Sequence, residues 1–165
     1  MAFTPWAAGQ RITASRLAGM TLTWSAWTPT WTTSTGANSP SFGNATIDCK
    51  YAQSADAVLF EMEITFGSTT NFGGGGSSDN WRFSLPVTAA ESVLIAGVGE
   101  IQDGAATTRW PVRARLTTTT TVEVELCGRA YDDTAGVSSG LVDATTPMTW
   151  ANGDRILLHG HYQAA

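Results

Sequence analysis

The sequence predicts an all-β domain, an antiparallel β-sandwich (jelly-roll-like) of about eight strands with a short N-terminal helix and an extended arm. Three observations predict it. Charged residues make up only 14 % of the 165 positions and Lys50 is the sole lysine, whereas helix surfaces are built from Lys, Glu and Ala. Thr, Val and Trp are abundant instead, and these prefer the pleated, half-buried surface of a strand. From Thr46 onward, short alternating runs are punctuated by Gly, Asn, Asp and Pro, with no helical period between them.

Taken in order, the chain opens differently from how it continues. Thr13 is a candidate N-cap for a short helix over 14–20 that ends near Gly19, with Ile12, Leu17 and Met20 on one stripe. So short a helix is marginal alone in water and must lean on something. Residues 21–44 read as an arm that becomes a first strand, and Trp24, Trp27 and Trp31 on it require a docking surface. The predicted strands are 46–51, 57–66, 81–87, 93–101, 110–116, 121–126 and 155–162, with a weaker one near 128–131. In 57–66, Val58, Phe60, Met62, Ile64 and Phe66 share one face and Glu61 and Glu63 the other. The division is therefore an anchoring segment over 1–30 and a β-sandwich over 31–165.

Composition excludes several functions. Nine basic residues against fourteen acidic ones give −5 at pH 7, and no basic cluster is present, so nucleic acid is a poor partner. No run approaches the ~20 apolar residues of a membrane helix, and the N-terminus lacks the pattern of a signal peptide. Cys49 and Cys127 lack CxxC spacing and lie in strand-like runs. Two buried free thiols fit best, with a single bridge as the alternative.

Candidate chemistry is sparse. The glycines at 73–76 are followed by Ser77, Ser78, Asp79, Asn80 and a strand, not by the lysine, hydroxyl and helix of a phosphate loop. Glu61 and Glu63 offer a carboxylate pair of the kind used in glycoside cleavage, but they also fit the solvated face of a regular strand. His159 and His161 are the only histidines. Two apart on a strand, they point the same way, and three chains about an axis would supply six nitrogens for a metal. Surface or interface roles are the simpler expectation, and no cofactor is expected. No nucleophile and base pair can be assembled, so the chain reads as non-enzymatic.

Four stretches carry a resemblance: "PWAAGQRITASRLAGMT", "WTPTWTTSTGANSPSFGNATIDCKYAQSADAVLFEMEITFGSTTNFGGG", "WRFSLPV" and "TWANGDRILLHGHYQAA". Together they resemble small virion proteins of tailed bacteriophages, especially those of actinobacterial hosts. Two departures are Gly19, where an asparagine is commoner, and Ala55-Asp56 in place of a Gly-Asp turn. The resemblance implies a jelly-roll sandwich, a homotrimer, and a virion location as tail fibre, minor tail protein or capsid decoration, with no catalytic residues. Assembled in the host cytoplasm without a signal peptide, such a protein would contact other virion proteins through its N-terminal segment. The anchoring residues expected are Trp6, Ile12, Leu17, Met20, Trp24, Trp27 and Trp31. Candidate display loops carry Asn71, Phe72, Asn80, Tyr131, Asp132 and Asp133, which could meet a host-surface glycan. A capsid decoration or head-fibre protein is the alternative, and a carbohydrate-binding module a further one.

Overall fold

The computed structural model describes residues 7–18, 21–74, 79–128 and 140–165. The described part is all-β and antiparallel, and its strands form one ten-stranded sheet. The strands are β1 Ser25–Trp27, β2 Trp31–Thr33, β3 Thr46–Ser54, β4 Ala57–Thr65, β5 Trp81–Ser84, β6 Leu94–Gln102, β7 Arg109–Leu116, β8 Thr121–Leu126, β9 Gly140–Leu141 and β10 Arg155–Gln163. Their order is β1-β3-β4-β10-β6-β7-β8-β5-β2, with β9 added beside β8. A clearly separated sandwich was expected, and the hydrogen bonding instead gives a single curled sheet that stays open between β1 and β2. The expected N-terminal helix is one five-residue turn, Ala14–Ala18, here α1.

The curl has a covalent cause. β1 and β2 are the two edges of the sheet, yet only Thr28, Pro29 and Thr30 separate them. Laid flat, nine strands would put those edges about 38 Å apart. Four peptide steps from Trp27 to Trp31 span at most about 14 Å. The sheet must therefore roll until its edges almost meet. Residues 25–33 act as one strand bent at Pro29, its first half pairing with β3 and its second with β5. Strands that switch partners at a corner in this way are how orthogonal packings turn.

Inside the roll, the inward-facing residues of the alternating strands form one core. Val58, Phe60, Met62 and Ile64 of β4 meet Ile156, Leu158 and Tyr162 of β10, Ile101 of β6, and Val122 and Val124 of β8. An aromatic cluster fills one end. Trp31 lies 4.6 Å from Trp81, 5.1 Å from Phe42, 5.3 Å from Phe66 and 5.7 Å from Phe83, measured between ring centroids. Each such pair contributes about 0.5–1.5 kcal/mol beyond area burial. Phe66 follows β4 while Trp31 sits on β2, so this contact crosses the open side of the sheet. Trp31, expected as an arm anchor, is thus a core residue, and Trp27 is half-buried against the same core. Their neighbours Ser25, Thr28, Thr30 and Thr32 are exposed, which gives both tryptophans the local sequence of an arm.

Two backbone features tune the sheet. The β3–β4 hairpin turns on Ala55-Asp56, and Ala55 takes φ 54°, a left-handed conformation that a glycine adopts without strain. On β6 and β10, Gly97, Gly99 and Gly160 lie where the strands pleat tightly together. A Cβ on Gly99 would run into the Leu157 carbonyl oxygen, and one on Gly160 into that of Ala96. Gly160 also stands in register with Phe60 of β4, leaving room for that ring. Gly99→Ala should accordingly lower stability by about 1–3 kcal/mol, as overpacking does. Gly128→Ala, whose Cβ meets open space, should not; urea unfolding midpoints of the two variants check this.

Candidate functional site

Three regions carry the polar and exposed groups from which a site could be made. The first is the segment before the sheet. Leu17 N–H donates to the Thr13 carbonyl, and the Thr13 and Ser15 hydroxyls lie 3.1 Å apart, which sets the single turn of α1 where the Thr13 cap was expected. Ile12, Leu17, Leu22 and Trp24 are all exposed. Trp6 and Met20 lie outside the described residues.

The second region is the loop end beside the aromatic cluster. Here the expected display residues mostly hold the structure together. Asn71 exchanges two backbone hydrogen bonds with Ser41, and its side chain accepts from Gly73 N–H. Asn80 exchanges bonds with Ser34. Phe72 turns inward, stacked 6.2 Å from Trp81 and 6.3 Å from Trp150, so it packs with the core and is not displayed. Asp79 accepts hydrogen bonds from the Thr35 hydroxyl and the Asn38 side-chain amide, and these bonds hold its carboxyl below the usual range. The Gly-rich loop is pinned at both described ends. Tyr131, Asp132 and Asp133 lie outside the described residues.

The third region is the outer face of the curled sheet. His159 pairs in register with Glu61 on β4 and Val98 on β6, and His161 with Leu59. Both histidines are exposed and share a face, as their spacing required. Among the described residues, no group of three or more His, Cys, Asp or Glu side chains is placed to hold a metal. Farther round, a ladder of charges crosses β7, β8 and β5. Arg113 Nε donates to Glu125 at 2.8 Å and Arg115 reaches the same carboxylate at 3.2 Å. The bond from Arg113 is the main reason the Glu125 carboxyl is held low. Arg82 Nε donates to the deeply buried Glu123 at 2.6 Å. Sequence reasoning missed these ion pairs. The signal was Arg-x-Arg at 113–115 facing Glu-x-Glu at 123–125 across a tight hairpin.

The buried carboxylates serve the fold. Asp154 accepts from Gly104 N–H at 2.8 Å and Ala151 N–H at 2.7 Å. Burial pushes its carboxyl above the ordinary range, against those two bonds. Gly104 packs so close to Gly153 that a side chain would not fit. This explains "WANGD": Trp150 joins the aromatic cluster and Asp154 ties its turn to the β6–β7 loop. Asp143 similarly accepts from Thr145 and Thr146, while its carbonyl takes the Trp150 indole N–H at 2.9 Å.

Both cysteines are free, and they differ in exposure. Cys49 is buried, which pushes its thiol from the ordinary 9.0 up to about 12, while Cys127 is exposed. The expectation of two buried thiols fails for Cys127 because it lies one residue past the end of β8.

The fold and these regions define an all-β protein with a curled antiparallel sheet. No protein-family model, curated protein or solved structure matches the chain.

A thiol reagent at pH 8 should titrate one cysteine in the native protein and two in denaturant; two native thiols would show Cys49 to be open. The raised Cys49 value also has a sign. The folded state keeps a proton that the unfolded state loses, so stability falls as pH rises from about 9 to 12. A Cys49→Ala variant should lose less over that window in a pH series of melts. Removing one partner of a buried ion pair strands the other. Arg82→Met should therefore cost about 3 kcal/mol, the low end for such pairs because Arg82 keeps some exposure. Adding Glu123→Leu should recover most of the loss in the same unfolding assay.

Proposed function

We propose that this chain is a non-enzymatic structural component of a tailed-phage particle, a homotrimeric tail-fibre or tail-tip subunit that contributes to attachment at the host surface. The observation that supports this reading most is the contrast between a curled β-domain with a filled core and the apolar segment in front of it. Ile12, Leu17, Leu22 and Trp24 stay in water while the core is filled by other residues. Exposed large side chains on an extended segment favour association. The described acids at Asp79, Glu123, Asp143 and Asp154 are engaged in turns and ion pairs, which suits a scaffold more than a reaction centre. The four sequence stretches that resemble virion proteins add the particle context.

The test is direct. Particles released from cells that carry the gene should contain the chain after density-gradient purification. Gold-labelled antibody should then mark the tail; label over the head would move the assignment to a capsid decoration. Particles free of the chain would end the virion reading.

A further inference from the structure

The large hydrophobic side chains left exposed among the described residues fall into two groups of four. One is the N-terminal segment with Ile12, Leu17, Leu22 and Trp24; the other is Val93, Leu94, Ile95 and Val98 at and before β6. Each is between 39 % and 76 % exposed. Val93 also adopts φ 61°, a conformation that costs a β-branched residue about 1–3 kcal/mol. The fold thus tolerates strain at the most exposed of these residues.

We propose that these two surfaces are halves of one contact, the N-terminal segment of one copy of this chain docking on the β6 start of a second copy. The register places them at the same end of the domain. Ser25 pairs with Tyr51, so the chain before it leaves toward the β3–β4 turn at Ala55-Asp56. Ala57, the β4 residue just after that turn, pairs with Gln163 of β10, and Gly160 of β10 pairs with Gly97, so the start of β6 points the same way. Copies meeting at that end about a three-fold axis can each pass the segment to the next, which closes the ring and leaves neither apolar group in water.

Charge agrees with this pairing. The first acid in the sequence is Asp48, and the segment before the sheet carries Arg11 and Arg16. The receiving end presents exposed Asp56 and Glu91, and the two arginines beside it across the β6–β7 register, Arg115 opposite Ile95 and Arg113 opposite Val98, are both engaged by Glu125. The segment could also span to its own β6, since eighteen residues extend to about 60 Å. In the structure it does not lie there, and its four apolar side chains remain exposed.

This inference rests on the self-association in the proposed function and deepens it, and the two fail separately. A monomer in solution would overturn the contact and the trimer, whereas particles free of the chain would end the virion reading. The first measurement is the solution mass of the full chain, with Leu17→Glu and Ile95→Glu as variants. Both positions are exposed, so thermal melts at concentrations low enough to keep every chain monomeric should stay unchanged. The wild type should associate, and each variant should associate at least about tenfold more weakly. A mixture of the two variants restores one intact contact and should associate more strongly than either alone. A second experiment places Leu17→Cys and Ile95→Cys together in a Cys127→Ser background. Oxidation should link separate copies. A wild type that is monomeric at about 100 μM, variants that associate as the wild type does, a mixture no stronger than its components, or a link formed only within one copy would each overturn the proposal.

Discussion

Thr28, Pro29 and Thr30 join the strand at one edge of the sheet to the strand at the other, and the shape of the domain follows from how short that join is. A chain that must pair with β3 on one side of Pro29 and with β5 on the other cannot leave the sheet flat. Rolling the sheet brings the inward faces of β2 and β4 within reach of each other. It thereby creates the enclosed volume that Trp31, Phe66, Trp81 and Trp150 occupy. It also leaves costs behind. The indole N–H groups of Trp27, Trp31 and Trp110 are buried without a partner in the described residues, each a penalty of about 1–3 kcal/mol. The ring contacts around Trp31 have to outweigh that.

The curl also manages the sheet edges. An open antiparallel sheet offers two rows of unpaired backbone groups to any passing strand. Here the edges are three-residue strands drawn toward each other across the seam, and β9 covers part of β8. The outer face is protected differently, by Arg113 and Arg115 against Glu125 and by Lys50 against Asp48. The apolar residues at the start of β6 interrupt that charged surface, and this makes them conspicuous.

Much of the fold was legible because β3, β4, β7, β8 and β10 are long enough for alternation to show. Residues 121–126 coincide with the predicted strand, and the other four match to within a few positions. The short strands were not legible. Two or three residues cannot display a period, so β1, β2 and β9 merged into arm or loop. The single sheet was hidden for a related reason: alternation tells which face of a strand is buried, but not whether the opposing layer is another sheet or the same one returning. Phe72 misled because glycines and asparagines flank it, as they would a displayed loop tip. The turn at "WANGD" stood out as a motif, yet its role depends on Gly104, fifty residues away, which no local pattern reveals.

The bent strand over 25–33 has a mechanical consequence. Tension applied through the N-terminal segment enters the domain at Ser25 and acts first on three register pairs with β3. If those yield, the six residues 25–30 lengthen the tether by about 20 Å. The pull then reaches Trp31, held among five aromatic rings. The domain therefore has a short, weak element that can give way and re-form in series with a strong one, an arrangement that absorbs a jolt without exposing the core.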